Sequence, residues 1–495
     1  MIVANLISAL SNVFNPITLA AIIAGVTMGI VIGALPGLSA TMGVALLLPV
    51  TFGMDPGVGL PMLVAIYCGA MYGGSISAIL IHTPGTPAAA ATCLDGYPMA
   101  QKGEAGKAIG FSLVASFCGG IFSAFALLFI APALSKVSLL FGPAEYFTLA
   151  ILGLTLMATL AQGDWIKGLI SGTLGLFLAT VGLDIVTAQS RFTFGQVELL
   201  GGIPLVVVLI GMFSISQALL LIEKKVKSNV EAKKVSGRIL PKLSELKEVW
   251  VTILRSSIIG TWIGMIPGTG GDLATWVGYN EAKRSSRNSE LFGTGIPEGV
   301  VASEAANNAV TGGALIPLLT LGIPGSSTTA VLLGGFLVHG LRPGPKFMTE
   351  YGDLSFTIII SLFIVNVFML ILGIFFGKMG VYITKIREDL LAPVIITLSV
   401  IGTYAINNSV FDVGLMFIFG LLGYIMVKCK FPTAPMVLGL ILGPIAETGL
   451  QQSLLISSGS WLIFVTKPVS LTLVILAVVS LSSAIIKDLR KKKTT

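Results

Sequence analysis

Charge is what this sequence has least of. Only 11% of its 495 residues are Asp, Glu, Lys or Arg, against about 25% in an ordinary soluble domain. Residues 1–94 hold one formal charge, Asp55, besides the titratable His82, and residues 108–135, 199–222, 305–341, 354–377 and 390–411 hold none. A helix that crosses a membrane needs about 20 residues of this kind. A β-barrel would instead show short alternating segments, whereas these runs are continuous. An all-α polytopic membrane protein is therefore expected.

Other scarcities narrow the chemistry. Only His82 and His339 are histidines, at positions without metal-like neighbours. The cysteines, Cys68, Cys93, Cys118 and Cys429, are scattered and show neither metal spacing nor a disulfide framework. There is no Ser/His/Asp arrangement, no HExxH and no phosphate-binding GxxxxGK[ST], which argues against an enzyme and against a nucleotide-driven pump within this chain. The N-terminus has no basic n-region, so no cleavable signal peptide is expected and no cofactor is implied. The net charge of +7 does not point to nucleic acid. Its excess sits in residues 224–247 and in the tail Lys487–Lys493; basic clusters beside apolar spans mark cytoplasmic loops that touch anionic lipid.

What the chain does have is abundant apolar sequence, enough for about ten to twelve membrane segments, hairpins included. They are expected near 17–34, 40–53, 58–81, 108–134, 146–162, 166–188 and 202–223, then near 251–266, 308–340 (broken), 354–377, 390–406, 410–427, 433–449 and 468–486. This divides the chain into a first membrane repeat at 1–223, a basic cytoplasmic linker at 224–249, a second repeat at 250–466, and a final helix with a basic cytoplasmic tail at 467–495. The runs that open at Pro204 and Pro468 both close on lysines and look like equivalent ends.

The repeats are legible as text. GIVIGALPG at 29–37 and GTWIGMIPG at 260–268 share Gly29/Gly260, Ile32/Ile263, Gly33/Gly264, Pro36/Pro267 and Gly37/Gly268. GGSISAILIHTPGT at 73–86 matches GGALIPLLTLGIPGS at 312–326 with one residue of slack. Each half thus carries two Pro-Gly breaks within apolar sequence. Proline removes an amide hydrogen and glycine permits positive φ, so the pair stops a helix and lets it restart. Small hydroxylated residues follow: Ser39 and Thr41 after Pro36-Gly37; Thr86 after Pro84-Gly85; Thr269, Gly270 and Asp272 after Pro267-Gly268; Ser326, Ser327 and Thr328 after Pro324-Gly325. Such residues cap restarting helices, whose free amides and positive dipole end suit an anion. A single break would be read as a kink for packing. Four in duplicate register are read as a binding site, and paired broken helices favour an inverted arrangement of the repeats. The GlyxxxGly pairs Gly29/Gly33, Gly260/Gly264 and Gly168/Gly172 are assigned to close helix packing.

One strip is polar where it should not be. Within GIPEGVVASEAANNAVTGG at 295–313, Glu304, Asn307 and Asn308 fall at i, i+3 and i+4 on one helical face, with Glu298 earlier. A carboxylate at mid-membrane costs about 2.5–3.5 kcal/mol on insertion scales, and carboxylate and carboxamide oxygens are hard ligands for small cations. These four, with Asp272, are the candidates for a coupling cation, Na+ or H+. The competing reading is an interfacial helix whose acids face water.

The segments GALPGLSATMGVALLLPVTFGM (33–54), YGGSISAILIHTPGTP (72–87), GMIPGTGGDLATWVGYNEAKRSS (264–286) and GTGIPEGVVASEAANNAVTGGALIPLLTLGIPGSSTTAVLLGGFLVHGLRPGP (293–345) closely resemble the large membrane subunit of the tripartite tricarboxylate transporters, the TctA family. That resemblance implies a secondary transporter of the bacterial inner membrane. It also implies a small membrane subunit (TctB-like), an extracytoplasmic solute-binding protein (TctC-like), an organic carboxylate cargo such as citrate, and a driving ion gradient, usually of sodium; homo-oligomerisation stays open. The rival readings are an autonomous symporter or channel that needs no binding protein, and an intramembrane enzyme.

Overall fold

The computed structural model describes residues 2–160, 164–184, 187–223, 235, 238–383 and 388–494. Most of the expected linker, 224–234 with 236 and 237, lies outside the described residues, as do the side chains of the basic tail 487–493. The rest is helical apart from one two-stranded ribbon. Eight helices among the described residues are long and apolar enough to cross a membrane, and five shorter apolar helices accompany them, as a polytopic all-α protein requires.

In chain order the first half holds α1 (Ile2–Val13), α2 (Pro16–Ala34), α3 (Ala40–Leu47), α4 (Pro56–Ile81), a 3-10 turn at Pro87–Ala89, α5 (Thr92–Gln101), α6 (Ala105–Ser138), α7 (Pro143–Leu160) and α8 (Trp165–Ala179). The ribbon of β1 (Gly182–Leu183) and β2 (Ser190–Arg191) follows. The half then closes with α9 (Leu205–Leu209), a π-helical turn at Ile210–Ile215 and α10 (Ser216–Glu223). The second half holds α11 (Leu243–Met265), α12 (Gly270–Ser285), α13 (Pro297–Leu321), α14 (Ser327–Val338), α15 (Phe347–Glu350), α16 (Gly352–Ile383), α17 (Glu388–Asn407), α18 (Val410–Lys428), α19 (Thr433–Ile456), α20 (Ile463–Thr466) and α21 (Pro468–Thr494).

Matched glycines fix how each half packs. α2 lies along α4 and α11 along α13. A Cβ added at Gly29 would come to 3.0 Å of the Ala70 amide nitrogen, and one at Gly260 to 2.8 Å of the Ala306 Cα. Gly29/Gly33 and Gly260/Gly264 are therefore close-approach faces, whereas a Cβ at Gly172 would meet nothing nearer than 3.7 Å. The halves then interlock. α6 packs on α11 and α13, while its counterpart α16 packs on α2 and α4. α8 and α7 pack on α19, while α18 and α17 pack on the π turn and α10.

Three expectations change. This packing sets α9–α10 opposite α19, so the run from Pro468 is an added helix, α21, lying on α7; lysine-rich ends alone cannot identify equivalent helices. The run expected at 166–188 stops at Ala179, where the chain turns through Gly182 (φ 123°) into the ribbon that Arg191 ties to Glu447 at 2.6 Å. The polar strip is not interfacial around Glu304: Gly299–Thr320 of α13 is buried, with Glu304, Asn307 and Asn308 at most 1% exposed.

Candidate functional site

Each Pro-Gly break ends a helix, but the four restart differently. α2 and α11 stop at Ala34 and Met265 in matching extended caps, and the chain turns through Gly37 (φ 85°) and Gly268 (φ 82°), a conformation only glycine adopts without strain. α4 and α13 end in left-handed caps at His82 (φ 56°) and Gly322 (φ 73°). Past these, the Gly85 amide donates to the Gly74 carbonyl at 3.2 Å, and the Gly268 amide to the Gly325 carbonyl at 3.0 Å. The breaks thus stitch to one another.

Two hydroxyls cap as expected. Ser39 accepts from the Met42 amide at 3.1 Å to start α3, and Ser326 accepts from the Thr329 amide at 3.2 Å to start α14. The other two do not. Thr269 donates to the carbonyls of Ile263 (2.5 Å) and Ile266 (2.9 Å), so it closes α11 rather than opening α12. Thr86 precedes a 3-10 turn, and its buried hydroxyl has no partner within the protein. Thr269 is itself helical, away from the extended dihedrals of a capping residue, and only a three-residue turn follows Thr86.

All four restarts meet at one cavity of about 210 Å³. Ser39, Thr41, Thr86, Gly268, Thr269, Gly270, Asp272, Ser326, Ser327 and Thr328 line it. Thr41 and Thr328 share a 2.9 Å hydrogen bond that joins α3 to α14. The remaining break residues, Pro36, Gly37, Pro84, Gly85, Pro267, Pro324 and Gly325, stand outside the lining and form the turns behind it. Among the described residues no Lys, Arg or His lines the cavity, and its one acidic group is Asp272.

Sequence reasoning missed Tyr67, Met71, Ala88 and Phe213, which complete the wall together with Ala40, Pro87 and Gly271. Tyr67 and Met71 are one turn apart on α4, and that helical spacing was the available signal. Phe213 had none: it comes from the π turn of another element, whose α10 neighbour Gln217 donates to the Gly37 carbonyl.

The acidic strip lies behind this wall. Asn307 donates to the Met71 carbonyl at 3.2 Å, and its Oδ1 is buried without a partner. Glu304 is fully buried: its Oε1 accepts from Thr92 at 2.5 Å and its Oε2 from Ser116 at 3.1 Å, with the Ser112 hydroxyl also in reach. Asn308 donates to Ser116 at 2.8 Å. Glu298 is apart, in the first turn of α13, where it accepts from Ser286 at 2.6 Å. Neither Glu298 nor Glu304 reaches the cavity. Thr92, Ser112 and Ser116 were missed because a Ser or Thr in an apolar helix most often bonds its own backbone.

Neutral hydroxyls and helix starts around a small void can hold an anion; they contain no nucleophile paired with a base. Comparison with known proteins agrees with this chemistry. Residues 19–438 match the model of the "Tripartite tricarboxylate transporter TctA family". Two proteins of Agrobacterium vitis are similar. One is described as a 52.8 kDa protein of the TAR-I ttuC' 3' region, 37% identical over 492 residues, 99% of this chain and 98% of that one. The other is from the TAR-II ttuC' 3' region, 37% identical over 234 residues, 47% of this chain and 97% of that one. No solved structure matches significantly. With a family match spanning most of its length and a relative alike from end to end, the chain belongs to the tripartite tricarboxylate transporter TctA family.

Proposed function

We propose that this protein is the large transport subunit of a binding-protein-dependent secondary transporter that imports a small organic carboxylate with a cation, most simply Na+. The observation that carries this reading is the convergence of four duplicated helix breaks on one cavity without a basic side chain. The start of α14 at Ser326, the start of α3 at Ser39, and the hydroxyls of Thr41, Thr86, Ser327 and Thr328 are the groups available to hold a carboxylate. At about 210 Å³ the cavity falls below the roughly 300–1,000 Å³ typical of drug-sized ligands, which favours a small di- or tricarboxylate.

Asp272 makes a cation necessary. Two like charges about 4 Å apart repel by about 4 kcal/mol at an effective dielectric of 20. A carboxylate cargo beside Asp272 therefore needs a proton or a metal cation between or near them, so that cargo and cation favour the same state. Glu304, Asn307 and Asn308 offer further oxygens one wall away. In this reading the protein sits in the bacterial inner membrane, with residues 224–249 and the C-terminus cytoplasmic. It works with a small TctB-like subunit and a TctC-like binding protein, and its inverted repeats alternate access by movement of groups of helices, drawn from both halves, relative to one another.

The test is uptake of radiolabelled citrate and related di- and tricarboxylates into proteoliposomes, with and without the small subunit and the binding protein, under imposed sodium or proton gradients. Gradient-driven accumulation only with both partners is expected. Accumulation by the chain alone, unaltered by the binding protein, would make it an autonomous symporter. Failure to move any carboxylate would defeat the reading.

A further inference from the structure

We propose that the buried polar cluster around Glu304 is a monovalent-cation site, formed by the Glu304 carboxylate, the hydroxyls of Thr92, Ser112 and Ser116, and the side-chain carbonyl of Asn308. It deepens the transport reading by giving the driving ion its ligands, and it assigns them to residues of both halves: Thr92 on α5, Ser112 and Ser116 on α6, Glu304 and Asn308 on α13.

Three observations converge. The carboxylate is fully buried and touches only hydroxyls, so no described Lys, Arg or His balances its charge. Asn308, 1% exposed, leaves Oδ1 without a partner while its Nδ2 binds Ser116 and the Glu304 carbonyl. The atoms offered to an ion, the Glu304 carboxylate, the three hydroxyls and Asn308 Oδ1, are hard oxygens, the kind that hold alkali and alkaline-earth ions. One carboxylate with neutral oxygens balances a single positive charge; a divalent ion would leave net charge in a low-dielectric interior.

The cluster is separate from the cargo cavity but shares its framework. Thr86 and Ala88 line the cavity, and the same short turn leads to Thr92 on the cation. One helical turn past Glu304, Asn307 holds the carbonyl of Met71, another cavity residue. An ion that draws Thr92 and α13 together therefore sets two walls of the cavity, and the site is placed to make cargo binding depend on the ion.

The test uses the purified full chain in detergent, without cargo, partners or vesicles, with NaCl replacing choline chloride at constant ionic strength. We expect a saturable rise of the melting temperature with sodium and a much weaker one with potassium. Ser116→Ala and Thr92→Val should shift the half-saturating sodium concentration upward about tenfold or more, whereas Thr92→Ser, which keeps the oxygen, stays within about threefold of wild type. Should Thr92→Val fail to fold, Ser116→Ala and Ser112→Ala decide. A wild-type protein indifferent to sodium, or variants with the wild-type sodium midpoint, overturns the proposal. Because no carboxylate is present, that failure leaves the transport reading intact, and failure of uptake leaves a sodium response standing.

Discussion

At the scale of single residues, the most consequential side chain outside the cargo cavity is one the sequence made ordinary. Asp95 is fully buried: its Oδ1 accepts from the amides of Gly293 (2.9 Å), Gly295 (2.8 Å) and Ile296 (3.0 Å), and its Oδ2 from the Tyr279 hydroxyl at 2.8 Å. One carboxylate of the first half thus fixes the loop from which α13 starts. Asp95→Ala leaves the buried Tyr279 hydroxyl unpaired, at about 1–3 kcal/mol, and removes the acceptor of three partly exposed amides, so the melting temperature should fall. Asp95→Asn keeps an acceptor for the three amides and should lose much less. Equal losses in the two variants would show that the loop is held by something else. Gly85 and Gly325 make a paired prediction. Added Cβ atoms would stand 3.0 Å from the Gly74 Cα and 2.8 Å from the Ala314 Cα respectively. Gly85→Ala and Gly325→Ala should therefore each cost about 1–3 kcal/mol by overpacking, measured by thermal denaturation in detergent. The contrast between these sites explains what could be read beforehand. A Pro-Gly pair announces a break wherever it stands, because it acts through its own backbone. Asp95, Thr92 and Ser116 act through partners some two hundred residues away, and nothing local marks them.

At the scale of elements, the junction that matters is where the π turn meets the first break. A π turn within an α-helix widens one loop of backbone and re-aims the side chains around it, and such turns are frequent at functional sites. Here it presents Phe213 to the cavity, while Gln217 of α10 donates to the Gly37 carbonyl. Gln217→Leu removes that donor at a cost of about 1 kcal/mol and frees the turn leading into α3. Uptake assays should show a several-fold higher KM for the cargo with little change in melting temperature; an unchanged KM would make the contact purely structural. The second element with a legible signature is the start of α11. Glu245 accepts from the Lys242 amide at 2.8 Å and pairs with Lys107 of α6 at 2.9 Å. The amide first, then the ammonium, hold its carboxyl below the ordinary carboxylate range. A depressed folded value means the contribution is present above the unfolded value of about 4.3 and fades as pH falls through the folded one. Amide protection at Lys242 and Leu246, corrected for intrinsic exchange, should therefore drop below about pH 4. Glu245→Gln should remove that pH dependence; a variant that keeps it would assign the effect elsewhere.

At the scale of the whole molecule, the duplication is visible as text, but the way the two copies interlock is not. Matching glycines and prolines identify α2 with α11 and α4 with α13, because each pair repeats the same close-packed faces. They carry no information on which half α6, α8 or α10 will choose, since an apolar helix surface fits many partners. The structure resolves this by exchange. α6 packs on α11 and α13, α8 on α19, and α10 on α17 and α18. Each half sends later helices onto the other, and the cavity takes lining residues from both. A half alone would expose the faces that α6 and α16 cover and would hold only part of the ring of breaks. Separate expression of residues 1–228 and 229–495, cut within the stretch between α10 and α11, should therefore yield fragments that are degraded singly. Co-expressed, they should co-purify on a tag carried by either one and recover cargo-dependent stabilisation. The fragments should not exchange with pre-formed intact chain, because the interlocked helices would have to separate first. A first half that folds alone, with a cooperative melting transition and no second half present, would mean that the exchange of helices is a late docking step rather than the basis of the fold.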